Sequence, residues 1–190
     1  MSIKRSIEES IKVKQAILSN SELLSIIEKV AQTTIAAFQN QGKLYLCGNG
    51  GSAADAQHIA AELSGRYKID RDPLPAEALH VNSSYMTAVA NDYSFDLVYS
   101  RMVKAFGNEN DVLFAFSTSG NSKNIVNAVI EAKKLGMKTI GFTGQNKSSL
   151  SEICDYLIAI PSIDTPRIQE SHILIGHIIC DLIEIEMFSK

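Results

Sequence analysis

Between residues 43 and 160 the chain breaks into five short apolar runs separated by stretches of helical periodicity, and this alternation limits its fold more than any other feature. Strands are predicted over 43–47, 76–81, 111–116, 137–142 and 156–160. Helices are predicted over 52–64, 83–90, 94–106, 122–135 and 147–153, with Gly65, Gly107 and Gly136 as stops. Short, continuously apolar strands alternating with helices imply an α/β fold: a doubly wound, five-stranded parallel sheet covered by helices on both faces. Residues 1–40 add helices outside this pattern. Ile3, Ile7, Ile11 and Leu18 mark one apolar stripe, and Leu23, Ile27, Val30 and Phe38 another. Ser19 and Glu22 have capping-box spacing, which predicts a break near Ser19. A last helix is expected from Thr165-Pro166, with Thr165 as N-cap and Pro166 at the first helical position, to about Phe188. The whole reads as a single domain over 1–190, with N-terminal helices in 1–40 and an α/β sandwich in 41–190. The first stripe packs either on its own domain or on another subunit; periodicity leaves that open.

Composition narrows the function classes. A net charge of −3 with no basic block points away from nucleic acid and from membrane surfaces. Lys4 and Arg5 are not followed by the apolar run of a signal peptide, and the apolar stretch 173–185 is interrupted by Gly176, His177 and Asp181. Cys47, Cys154 and Cys180 stand singly in apolar surroundings, as buried thiols do in a reducing cytoplasm.

In such a sheet ligands bind beyond the carboxyl ends of the strands, so the loops there carry the functional weight. After the first strand comes Gly48-Asn49-Gly50-Gly51-Ser52. Glycines that permit positive φ, followed at once by a helix N-terminus, present backbone N–H groups to an anion. The run is neither G-x-G-x-x-G nor a P-loop, and an ordinary tight β-to-α turn is the competing reading. The helix that follows carries His58 and Glu62, four residues apart and so on one face. After the third strand comes Ser117-Thr118-Ser119-Gly120-Asn121-Ser122. A helix N-cap needs only one hydroxyl, whereas four at a strand end, with helix N–H groups, suit a phosphate held without a cation.

With both loops in place the chain resembles the sugar isomerase (SIS) domain family. His58-x-x-x-Glu62, Leu63-Ser64-Gly65-Arg66-Tyr67, Asn91-Asp92 and Arg167-Ile168-Gln169-Glu170-Ser171-His172 with His177 extend the resemblance to its phosphoheptose isomerases, over essentially the whole chain. That resemblance implies conversion of D-sedoheptulose 7-phosphate to D-glycero-D-manno-heptose 7-phosphate, the first step toward activated heptose for bacterial lipopolysaccharide or capsule. It implies a homotetramer and one Zn2+ per subunit on His58, Glu62, Gln169 and His177. Substrate contacts would be Asn49, Gly50, Gly51, Ser52, Glu62, Asn91, Asp92, Ser117, Thr118, Ser119, Ser122 and Gln169.

Aldose–ketose isomerisation moves a proton between neighbouring carbons through an enediol, so it needs a base at carbon and an acid or metal at the carbonyl oxygen. Glu62 is the natural base and His177 the natural acid. A carboxylate that ligates a metal tightly is a poorer base, so Glu62 ligates loosely or another group moves the proton. On helix spacing, Gln169 lies roughly 80° around from His177 and Glu170 aligns better; only the resemblance selects Gln169. Glu170 orients His177 or pairs with Arg167. Arg66 meets phosphate or pairs on the surface. Asn91-Asp92 is a helix end, a sugar contact, or both. His172 and His80 read as packing residues. Three other functions are compatible with the same family pattern: a non-catalytic protein assisting the replication initiator, an isomerase of another phosphosugar, and a sugar-phosphate sensor.

Overall fold

The computed structural model describes residues 2–188. Its helices and strands are α1 Ile3–Leu18, α2 Ser21–Gln39, β1 Leu44–Cys47, α3 Gly51–Ser64, β2 Ala76–Ala78, α4 Ser83–Asp92, α5 Val98–Phe106, β3 Val112–Phe116, α6 Lys123–Lys134, β4 Lys138–Gly144, α7 Ser149–Ile153, β5 Tyr156–Ile160 and α8 Thr165–Phe188. The strands form one all-parallel sheet in the order β2-β1-β3-β4-β5. Successive strand side chains point to opposite faces. Leu44, Leu46, Phe114, Phe116, Ile140 and Phe142 meet α2, α3 and α8 on one side, and Tyr45, Cys47, Leu113 and Ala115 meet α5 and α6 on the other. The predicted doubly wound fold is therefore present, with its N-terminal helices.

Four local expectations shift. The α1–α2 break is capped by Asn20, whose side chain accepts from the Leu23 N–H at 3.0 Å, while Ser19 closes α1. The predicted helix over 94–106 begins as a 3₁₀ turn, Phe95–Leu97, because Ser94 Oγ takes the Asp96 N–H and tightens the entry. β2 ends at Ala78, not 81, since the chain turns off the sheet after Leu79 donates to Leu46. Thr165 and Pro166 both lie inside α8, whose first turn closes on the Asp164 carbonyl.

α1 is tied to α8 by polar groups: Arg167 donates to the Ser6 carbonyl at 2.6 Å, and Lys14 pairs with Glu170 at 3.2 Å. Its apolar stripe is left outward, with Ile3, Ile7 and Ile11 exposed by 83%, 56% and 48%. His172, on α8, is fully buried edge-on against Phe116 and Phe142, and its Nε2 bonds the Thr143 carbonyl. Burial pushes this imidazole down to about 4, and the Thr143 bond opposes the shift only in part. An unfolded histidine titrates near 6.5, so the stability tied to neutral His172 is full above about pH 6.5 and is lost as pH falls toward 4, on the order of 3 kcal/mol. Urea midpoints measured from pH 7 to pH 4 should fall steeply in the wild type and less so in His172→Leu; parallel slopes would refute the assignment.

Candidate active site

β1 and β3 are neighbours, but the chain leaves β1 toward one face, through α3, and β3 toward the other, through α6. Their carboxyl ends therefore frame the crevice where doubly wound sheets bind ligands. The glycine turn lies at one side of it. Gly50, at φ 57°, provides the left-handed step into α3, and the buried Tyr99 hydroxyl holds the Gly48 carbonyl. Ser52 is buried in the first turn of α3. On the other side, Ser117 Oγ lies 3.0 Å from Ser122 Oγ and 3.4 Å from Ser119 Oγ, so three hydroxyls converge at the start of α6. Asn121 stiffens the loop by donating to the Ser119 carbonyl and accepting from the Ser149 N–H and hydroxyl. A cleft of about 180 Å³ runs beside it, lined by Thr118, Ser119, Gln145, Asn146 and Thr165 among others. Asn49 and Asn124 join the two sides through a reciprocal pair of amide hydrogen bonds, both 2.9 Å.

His58 and Glu62 project from α3 toward His177 on α8. The two helices come close because Gly176 has no Cβ: one placed there would lie 2.5 Å from Ile59 Cδ1. His58 Nε2 is 2.9 Å from His177 Nε2 and 3.1 Å from Glu62 Oε1. One donor atom from each of the three side chains falls within 4.8 Å of the others. Two imidazole nitrogens and a carboxylate oxygen so converged fit a zinc ion in both donor type and spacing. The Gln169 carboxamide lies against Gly51, where an added Cβ would be 2.8 Å from Nε2, so the first turns of α8 reach the glycine turn.

Comparison with known proteins decides the family. The SIS domain family matches residues 9–144. The chain is 50% identical to the phosphoheptose isomerase of Sulfurimonas denitrificans over 186 residues, covering 98% of this chain and 95% of that protein. It is 47% identical to that of Clostridium acetobutylicum over 188 residues, covering 99% and 96%. The structure of the phosphoheptose isomerase GmhA from Neisseria gonorrhoeae superimposes with a TM-score of 0.90 at 40% identity over 96% of each chain. The chain belongs to the phosphoheptose isomerase family of SIS-domain proteins.

Within this phosphoheptose isomerase family member, the residues left ambiguous by spacing take the following places. Glu170 turns toward α1, pairing with Lys14 at 3.2 Å and Arg167 at 3.4 Å, and does not orient His177. Burial acts to raise its carboxyl, but Ser10, Lys14 and Arg167 outweigh burial and hold it below the usual range. Arg66 is exposed and makes no ion pair among the described residues. Asn91 and Asp92 form the last turn of α4 and bond each other at 2.8 Å; no hydrogen bond among the described residues joins them to either loop. His80 is half-buried, and burial lowers its pKa. Cys47 and Cys180 are buried, and burial pushes the Cys154 and Cys180 thiols up to about 12, far from a thiolate nucleophile.

Several residues of this phosphoheptose isomerase family site escape sequence reasoning. Asn124, 2% exposed, has a role only once the two loops are side by side. Arg71 and Glu184 form an ion pair at 2.9 Å with side chains 2% and 3% exposed. Tyr67 belongs to the run Leu63-Ser64-Gly65-Arg66-Tyr67, but nothing in that run shows its ring stacked on His177, centroids 5.7 Å apart and planes 19° from parallel.

Proposed function

We propose that this chain converts D-sedoheptulose 7-phosphate to D-glycero-D-manno-heptose 7-phosphate, the first step toward activated heptose for lipopolysaccharide or capsule. The observation that carries the reading is the His58–Glu62–His177 cluster, three donors within 4.8 Å on two packed helices. A scaffold or sensor needs no such convergence. The hydroxyl loop 117–122 and the N–H groups at the start of α3 and α6 provide the anion-binding end that a sugar phosphate requires.

In this reading Ser117, Thr118, Ser119 and Ser122 hold the phosphate, while Asn49, Gly50, Gly51, Ser52, Asn91, Asp92 and Gln169 orient the sugar chain. Glu62 takes the proton from C1 of the ketose, and the resulting enediol is reprotonated at C2 to give the aldose. His177 exchanges a proton with the carbonyl oxygens as they become hydroxyls and revert. His58, Glu62, His177 and Gln169 would hold one Zn2+, which supplies Lewis-acid polarisation of the carbonyl. The outward Ile3, Ile7 and Ile11 face of α1 is assigned to subunit contact in a homotetramer, and the enzyme to the cytoplasm. No helix among the described residues is long and apolar enough to cross a membrane.

The test is turnover of sedoheptulose 7-phosphate by the purified full chain, before and after chelation and after zinc return. Lewis-acid assistance is worth several kcal/mol, so chelation should cost at least about 100-fold, restored by zinc. A chain that binds the sugar phosphate but never converts it, zinc-loaded or not, would sink the enzymatic reading.

A further inference from the structure

α3 ends at Ser64, and residues 65–75 continue as an irregular segment with no strand or helix of its own. Yet this segment places an aromatic ring on the candidate acid. The Tyr67 ring stacks on the His177 imidazole, and His58 meets the same imidazole edge-on, with centroids 5.1 Å apart and planes 72° apart. His177 is thus held by a flat face on one side and a ring edge on another.

The segment is fastened by a buried ion pair. Glu184 lies on α8, about two turns beyond His177. Its carboxylate accepts the N–H groups of Tyr67, Lys68 and Ile69, at 3.0, 2.9 and 3.3 Å, and Arg71 Nε at 2.9 Å. The Arg71 guanidinium then turns back onto α3. It donates to the carbonyls of Glu62 at 2.9 Å and Leu63 at 2.8 Å, filling acceptors that a helix C-terminus leaves open. One of those carbonyls belongs to the residue read as the base. Lys68 adds an exposed tie to Asp181 at 2.8 Å. A buried ion pair is a poor source of net stability, because desolvation offsets most of its attraction. This one joins the helix bearing His58 and Glu62 to the helix bearing His177, and suspends Tyr67 between them.

We propose that Tyr67 is a positioning residue for His177, acting through the face of its ring, and that the Arg71–Glu184 pair is the clamp that delivers it. The inference rests on reading His58, Glu62 and His177 as the metal-binding catalytic centre. Groups that orient a histidine ligand commonly change metal affinity or activity by 10- to 100-fold when removed. Tyr67 is assigned no contact with substrate, so its loss should appear in kcat and zinc affinity and spare KM.

The experiment compares wild type, Tyr67→Leu and Tyr67→Phe as full chains. It measures zinc affinity by competition with a chromophoric chelator, kcat and KM with sedoheptulose 7-phosphate, and the urea midpoint as a check on folding. Tyr67→Leu should lose about 10- to 100-fold in both zinc affinity and kcat, with KM within about threefold of wild type and an unchanged urea midpoint. Tyr67→Phe, which keeps the ring, should recover both quantities to within about threefold. The proposal is overturned if Tyr67→Leu keeps wild-type zinc affinity, if Tyr67→Phe is as impaired as Tyr67→Leu, or if the wild type has no zinc affinity. Should Tyr67→Leu not fold, Tyr67→Met takes its place, with the same losses expected and the same results overturning the proposal. A wild type that binds zinc but converts nothing overturns the functional reading instead, and the zinc comparison still decides the role of Tyr67.

Discussion

Glu62→Gln should reduce turnover by about 10²- to 10⁴-fold, the range expected when a positioned acid–base group is removed. The amide keeps the shape of the side chain and a neutral oxygen to direct at His58, but it cannot accept a proton from carbon. The same carboxylate lies 3.1 Å from His58 Nε2, inside the metal-fitting cluster, so its two roles compete. Exchange of the substrate carbon-bound hydrogen in D2O at saturating zinc separates them. If Glu62 is the base, wild type washes deuterium into the sugar and Glu62→Gln does not, even when zinc-loaded. Wild-type exchange rates in a zinc-saturated Glu62→Gln enzyme would assign the proton transfer to another group and leave Glu62 a ligand only.

Glu184→Ala is expected to cost on the order of 3–5 kcal/mol of stability, read as a lower urea midpoint. The change leaves the Arg71 guanidinium buried without its counter-charge and removes the acceptor of three backbone N–H groups. Burial acts to raise the Glu184 carboxyl, but the Lys68, Tyr67 and Ile69 N–H groups together with Arg71 outweigh burial and hold it below the usual range. Many buried ion pairs are replaced by apolar pairs at no cost. Here the double variant Arg71→Met/Glu184→Leu should stay well below wild type, because the Glu62 carbonyl and the three N–H groups still lack partners, each at about 1–3 kcal/mol if they stay buried. Full recovery in the double variant would show that only the charge mattered and that the clamp on backbone groups contributes nothing.

What could be read from the sequence is what local sterics and periodicity determine. The five strands, the glycine turn into α3, the hydroxyl loop into α6 and the shared face of His58 and Glu62 each depend on neighbours a few residues away. Even there, competition between adjacent capping groups moved boundaries: Asn20 took the role expected of Ser19, and Ser94 tightened the start of the helix predicted over 94–106. The completed site depends on distant partners. His58 meets His177 across 119 positions, Asn49 meets Asn124 across 75, and Arg71 meets Glu184 across 113. Spacing along α8 favoured Glu170 over Gln169 and allowed its pair with Arg167 on the same helix, but it took the placement of α1 beside α8 to add Lys14. The sequence by itself determined which elements form and which side chains share a helix face, because φ/ψ preference and apolar period act over a turn or two. The tertiary structure alone decided which faces meet, because that follows from close packing: a missing Cβ at Gly176 and a buried ion pair bring α3, α8 and the segment between α3 and β2 together.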